Sequence, residues 1–178
     1  MNALSIYIWF LMIMNASAQV LFTANNTWNP NDWRIINDGV MGGISQAEVE
    51  KSRQGTLVFS GTVRLENNGG FASVRRSFEP QNITGHKTIK LRIKGDGTTY
   101  QFRLKSTQEQ RYSYVHEFQT TGHWEDLELP LSDFQPRFRG QMLDRPNYTA
   151  KVLQEIAILI GNKRKESFRL EIQEIVLP

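Results

Sequence analysis

Four carboxylates that fall close together in the chain, Asp32, Asp38, Glu48 and Glu50, are the first residues whose type and spacing could do chemistry. Two carboxyl groups facing each other across a cleft can act as acid and base on a glycosidic bond, provided the fold sets their separation. Nothing in the local sequence sets it, and loop carboxylates in solvent are the simpler reading. The three histidines, His86, His116 and His123, lack the spacing by which two imidazoles share one metal. No G-x-S-x-G elbow or Walker loop occurs, and Gly39-Val40-Met41-Gly42-Gly43 lacks the spacing of a dinucleotide fingerprint. The chain has no cysteine, which excludes disulfides, thiolate metal sites and thiol nucleophiles. The expectation is a protein without a metal site, without a cofactor and without catalysis.

What remains is binding. Tyr100, Arg103, Arg111, Tyr112, Tyr114 and His116 interleave flat apolar area with cations, a combination able to stack on a sugar ring or to anchor a protein partner. The same alternation is that of a strand whose tyrosines simply face a core, and the residues alone leave both readings open. Lys and Arg total 21 against 18 Asp and Glu, a net charge of +3 that is too small and too scattered to indicate nucleic acid.

The elements that must carry these residues are strands. Thr88 to Lys94 and Tyr100 to Lys105 alternate apolar and polar side chains with period two, and Gly95-Asp96-Gly97 between them reads as the turn of a hairpin. Further strands are expected at Thr56 to Val63, Phe71 to Phe78, Tyr112 to Phe118, Trp124 to Leu129, Ile156 to Ile160 and Phe168 to Leu177. The Ile156 to Ile160 run is apolar on both faces and belongs in the middle of a sheet. Apolar parity shifts between Trp124 and Leu127 and between Ile172 and Ile175, and each shift predicts a bulge or a change of sheet. Pro130 to Tyr148, with three prolines, reads as a long connection. Single helical turns are expected after Asn29 and over Lys151 to Glu155. Many short strands with glycine-rich turns predict an all-β fold, a β-sandwich of the jelly-roll kind.

Ahead of the strands, Ile6 to Met14 is an apolar run too short to span a bilayer, and Ala16-Ser17-Ala18 follows it. This is the pattern of a signal peptide over residues 1–18, with an uncleaved anchor as the competing reading. It predicts one domain over residues 19–178, exported to a periplasmic or extracellular location, with Gln19 as the mature N-terminus.

The stretch Trp33 to Ser45, WRIINDGVMGGIS, is followed by Leu57-Val58-Phe59-Ser60-Gly61 and by Leu65 to Arg75, LENNGGFASVR. Together with Gly95-Asp96-Gly97, Leu129-Pro130-Leu131-Ser132-Asp133-Phe134 and Phe168-Arg169-Leu170-Glu171-Ile172, these residues resemble the complex I intermediate-associated protein family, in order and over nearly the whole chain. The resemblance implies a galactose-binding-domain-like jelly-roll. It also implies a chaperone-like module that holds intermediates of NADH:ubiquinone oxidoreductase during assembly, with no agreed catalytic residues to carry over. A carbohydrate-binding module is the alternative, because the fold is also used for that purpose. Asp38, Ser45, Asn68, Ser73 and Arg75, the polar members of the two longest motifs, are expected to line one site where two loops meet. Arg103 and Tyr114 are the further candidates for binding a ligand or partner.

Overall fold

A computed structural model describes residues 17–25 and 28–178, and the expected signal peptide lies almost wholly outside them. Among the described residues thirteen strands form two antiparallel sheets, and the only helical elements are four single 3-10 turns. The first sheet holds β1 (Gln19–Thr23), β3 (Gln46–Lys51), β4 (Leu57–Val63), β6 (Thr88–Lys94), β9 (Trp124–Pro130) and β13 (Glu166–Leu177). Its order is β3-β4-β13-β6-β9, with β1 also paired to β13. The second sheet holds β2 (Arg34–Asn37), β5 (Ala72–Asn82), β7 (Thr99–Lys105), β8 (Ser113–Gln119), β10 (Gln135–Phe138), β11 (Gln141–Met142) and β12 (Val152–Ile160), in the order β11-β10-β8-β7-β12-β5-β2.

Alternation explains the core. Ile89, Leu91 and Ile93 of β6 and Tyr100, Phe102 and Leu104 of β7 are buried, and the cations and amides between them point away from the core. Tyr100 meets Phe168 of the opposite sheet edge to face at 6.5 Å, and Phe168 packs on Phe59 at 4.8 Å. Each such ring or branched side chain removed from water contributes about 1.5–3 kcal/mol, so the interleaved inner faces dominate the stability of a cysteine-free domain. β12 is paired on both sides, by β7 and β5, as its apolar run requires.

Four expectations change. β6 and β7 are not a hairpin: β6 pairs with β9 and β13, β7 pairs with β8 and β12, and the chain crosses between sheets at Gly95-Asp96-Gly97. Asp96 holds that corner, its Oδ2 accepting from the Tyr100 hydroxyl at 3.1 Å and from Arg169 N of β13 at 2.8 Å. A Cβ at Gly95 would overlap the Thr120 side chain, so the crossing needs glycine for close approach rather than for a hairpin turn. The parity shift at Ile172 is a bulge, with the β13–β6 register slipping between Ile172 and Glu174, but β9 runs in unbroken register against β6. Trp124 therefore faces outward, with the Arg92 guanidinium 5.9 Å from its ring. Finally, the Pro130–Tyr148 connection contains β10 and β11, and the turn expected over Lys151 to Glu155 is the start of β12. The capped turn after Asn29 is present, the Asn29 side chain accepting from Asn31 N at 2.9 Å.

Candidate functional site

Arg75, Ser73, Gln101, Arg103, Lys105, Ala157 and Leu159 share one face of the second sheet, because β5, β12 and β7 are in register with Arg75 opposite Ala157 and Ala157 opposite Arg103. This face points away from the core. It is the floor of a cleft of about 670 Å³. One wall is the 3-10 turn Asp38–Met41 with Phe71, and the other is the β10–β11 turn at Phe138, Arg139 and Gly140. Arg139 and Gly140 form a two-residue hairpin loop with φ of 49° and 80°, the left-handed pair that such a loop requires.

The wall at Asp38–Met41 is held by a latch. Asp38 is fully buried and its carboxylate accepts from Ser45 N at 3.0 Å, from Gly70 N at 2.6 Å, from Phe71 N at 3.3 Å and from the Ser45 hydroxyl. The Ser45 hydroxyl in turn accepts from Arg64 N at 2.9 Å. Burial raises the Asp38 pKa, but the hydrogen bonds from the Ser45 side chain, Gly70, Ser45 N and Phe71 outweigh it and leave the carboxyl below its ordinary 3.8. A Cβ at Gly43 would overlap this carboxylate, and one at Gly69 would stand 2.7 Å from Oδ2. Gly43 and Gly69, one from each glycine pair of the motifs, let the backbone close around Asp38.

The seven candidate residues thus separate. The structure does bring the two motif loops together, as expected, but Asp38 and Ser45 spend their polar atoms on the latch. Ser73 donates to Ile36 O at 2.7 Å between β5 and β2, and Asn68 is exposed at φ 60°. Arg75 and Arg103 line the cleft. Tyr114 does not: it packs on Tyr148 at 4.9 Å, and burial, with the bond to the Tyr112 hydroxyl at 3.4 Å, pushes its pKa up to about 12. Of the interleaved aromatic and cationic surface, Tyr100, Tyr114 and His116 belong to the inner face and Arg103 and Arg111 to the cleft.

Burial, then repulsion from Arg75 and Arg137, depresses the Arg103 pKa to about 10. Lys105, Arg137 and Arg139 are cleft residues that the sequence reading missed. Their signal was present as cations of like parity, Arg103 with Lys105 and Arg137 with Arg139, but on strands whose pairing the sequence did not disclose. Asp32, Glu48 and Glu50 do not join Asp38: Asp32 sits on its own 3-10 turn, and Glu48 and Glu50 lie on β3 in the other sheet. Among the described residues no group of three or more His, Asp or Glu could hold a metal ion. No described helix is long and apolar enough to cross a membrane.

Residues 20–172 match the family model described as complex I intermediate-associated protein 30 (CIA30). An uncharacterized protein of Schizosaccharomyces pombe is 29% identical over 161 residues, 79% of this chain and 74% of that protein. A probable complex I intermediate-associated protein 30, mitochondrial, of Caenorhabditis elegans is 26% identical over 155 residues, as is its Caenorhabditis briggsae counterpart. Each match covers 75% of this chain but 46% of the nematode protein, so the chain corresponds to about half of each. Among solved structures, the family 11 carbohydrate-binding module of a cellulosomal cellulase of Clostridium thermocellum superposes with a TM-score of 0.68 at 14% identity, over 92% of this chain and 95% of that one. The same module in complex with a β-1,3-1,4-mixed-linked tetrasaccharide gives 0.65 at 16% identity, over 90% and 94%. At such identities the likeness is one of fold, and the fold is the expected galactose-binding-like jelly-roll.

The expectation of an exported, periplasmic or extracellular protein is corrected by these comparisons, since both nematode relatives are named as mitochondrial. That expectation rested on the hydropathy of the first residues and on Ala16-Ser17-Ala18, and a short apolar run followed by small residues is not specific to one destination.

Proposed function

Because the chain belongs to the complex I intermediate-associated protein 30 family, we propose that it is a non-catalytic, chaperone-like binding module that takes part in the assembly of respiratory complex I. One observation carries the reading. The two loops tied together by Asp38 present Val40, Met41, Ile44 and Leu65 to solvent, with exposures of 44–74%. Large apolar side chains gathered at that exposure are unfavourable in water unless something covers them, and a protein partner is what such patches ordinarily meet. The latch makes the patch rigid, which lowers the ordering cost of docking. In this reading the partner is a subunit or intermediate of complex I and the module works in mitochondria, as the names of the nematode relatives state for them.

Affinity purification of the tagged chain from its own cells tests this. Complex I subunits are expected to co-purify with the wild type and to be lost with Ile44→Asp and Leu65→Asp, two exposed substitutions that leave the core intact. Recovery of the same proteins with both variants, or of no complex I subunit with the wild type, would set the reading aside.

The alternative, a carbohydrate-binding module, has the cleft and the fold in its favour. Its difficulty is the lining. Among the described residues no tyrosine or tryptophan lines the cleft, and of the two rings that do Phe138 is already flanked by Arg111 and Arg139 at 5.9 and 5.4 Å. A neutral sugar would find little free aromatic face there.

A further inference from the structure

The cleft carries far more positive charge than the rest of the molecule. Arg75, Arg103, Lys105, Arg111, Arg137 and Arg139 line it. Two carboxylates pair with them: Glu155 accepts Lys105 at 3.2 Å and lies 3.8 Å from Arg75, and Glu117 accepts Arg137 at 2.7 Å. Six cations against two carboxylates leave an excess of four, whereas the whole chain has +3. Elsewhere the surface is therefore close to neutral.

The cations are also arranged to donate. Arg103 has no carboxylate within salt-bridge distance among the described residues. Its Nε and one terminal nitrogen are instead held by Gln101 Oε1 at 3.1 and 2.6 Å, which orients the guanidinium without neutralising it. Arg75 Nε and Arg137 Nε are buried donors with no hydrogen-bond partner, an arrangement that costs free energy until an acceptor arrives. Burial and, after it, repulsion from Arg75 and Arg137 disfavour the charged form of Arg103 in the same way.

We propose that the cleft is an anion site for a phosphate-bearing ligand, whose phosphate oxygens take the donors of Arg75, Arg103 and Arg137 at the floor. Phosphate fits better than an acidic peptide because the charges are recessed, the Lys105 and Arg75 side chains being only 12% and 23% exposed. A compact group with several acceptor oxygens reaches them and matches the planar guanidinium forks. An extended peptide spaces the carboxylates of one face about 7 Å apart and presents fewer acceptors to the same floor. The volume of the cleft is that of a small-ligand site. Its apolar wall at Val40, Met41 and Phe138 suits a ligand with an apolar portion beside its phosphate, whether a soluble phosphorylated molecule or a phospholipid headgroup. This site shares Val40 and Met41 with the partner surface, but its cations lie outside that surface and Ile44 and Leu65 lie outside the cleft, so variants at Arg103 and at Ile44 with Leu65 let each reading fail alone.

The full chain is titrated with sodium tripolyphosphate by calorimetry, and with vesicles of phosphatidylcholine with or without phosphatidylglycerol by co-sedimentation. Saturable binding is expected, falling with added salt, at least about tenfold weaker in Arg103→Gln and in Arg75→Gln, and unchanged in Arg92→Gln on the other sheet. Tripolyphosphate binding without vesicle binding identifies a soluble ligand. Binding to phosphatidylglycerol vesicles that tripolyphosphate displaces identifies a lipid headgroup. Absence of binding to both, by wild type with an intact thermal transition, overturns the proposal. So does binding that neither cleft variant weakens. Capture of poly-glutamate or of a β-glucan oligosaccharide in place of the phosphate probes, sensitive to Arg103→Gln, overturns it in favour of a peptide or a sugar.

Discussion

Replacing Asp38 by Asn removes one charge and almost no volume from a side chain that holds two loops together. The carboxylate accepts four hydrogen bonds, one at Oδ1 from Ser45 N and three at Oδ2 from the Ser45 hydroxyl, Gly70 N and Phe71 N. An amide has a single oxygen. In its better orientation that oxygen takes the Oδ2 position, and the NH2 group is turned against the Ser45 N–H, leaving buried donors unmet at about 1–3 kcal/mol. The three bonds that survive lose their charge assistance and about half their strength. Relief from burying a charge offsets part of this, and the net loss is about 3 kcal/mol. For a domain of this size it corresponds to a fall in Tm of about 6–12 °C. The pH dependence has a definite sign. The folded pKa of Asp38 is lowered, so its contribution is complete above the unfolded value of 3.8 and is lost as the pH falls through the folded value. Urea unfolding of wild type and Asp38→Asn at neutral pH and at successively lower pH measures both effects. The difference between them is expected to shrink only in the acid range. A loss under about 1 kcal/mol at neutral pH, or a difference that does not change below pH 3.8, would show that Asp38 is not the latch.

Glu155→Gln leaves Lys105 and Arg75 without their shared counter-charge in a site where the glutamate side chain is 5% exposed, and should cost about 3 kcal/mol in urea unfolding. Arg103→Gln should have the opposite sign. Because the folded pKa of Arg103 is depressed to about 10, its charged form is disfavoured by the fold at neutral pH, so the substitution is expected to stabilise the free protein by up to about 1 kcal/mol, raising Tm by about 2–4 °C, while it weakens anion binding at least about tenfold. A destabilised Arg103→Gln would mark the residue as structural. Tyr114→Phe removes only a hydroxyl bonded to Tyr112 at 3.4 Å, and should change stability by less than about 1 kcal/mol and leave ligand binding by the cleft untouched in the same titration.

The sandwich was legible because burial imposes period two on strands with one face in the core, which β6 and β7 display without interruption, and a continuous apolar run on a strand buried on both faces, which β12 displays. Which strands pair was not. Gly95-Asp96-Gly97 reads as a hairpin turn because nothing local tells a two-residue reversal from a corner; the difference lies in Thr120 and Arg169, which are distant in sequence. For the same reason β10 and β11 hide in a proline-containing connection, where four-residue and two-residue strands are too short to show a period. The motif residues read as two loops meeting at a polar site, and Asp38 ties those loops together through Ser45, Gly70 and Phe71. Their polarity suggested a ligand site, but a buried carboxylate surrounded by backbone N–H groups is satisfied from within, and only the coordinates distinguish the two cases. The cleft was partly legible, through Arg75, Arg103 and Arg111. The other three cations come from the end of β7, from β10 and from its turn, and became one patch only when the strand order put β5, β12, β7, β8 and β10 side by side.

The proposed role in complex I assembly is tested most directly in cells from which this protein has been removed, by measuring assembled complex I on native gels after re-expression of wild type or of the Ile44→Asp/Leu65→Asp double variant. Complex I is expected to fall when the protein is absent and to be restored by wild type, but not by the double variant present at equal level and with an unchanged Tm. Complex I that is unaffected by loss of the protein, or that is restored equally by the double variant, would contradict the proposed role.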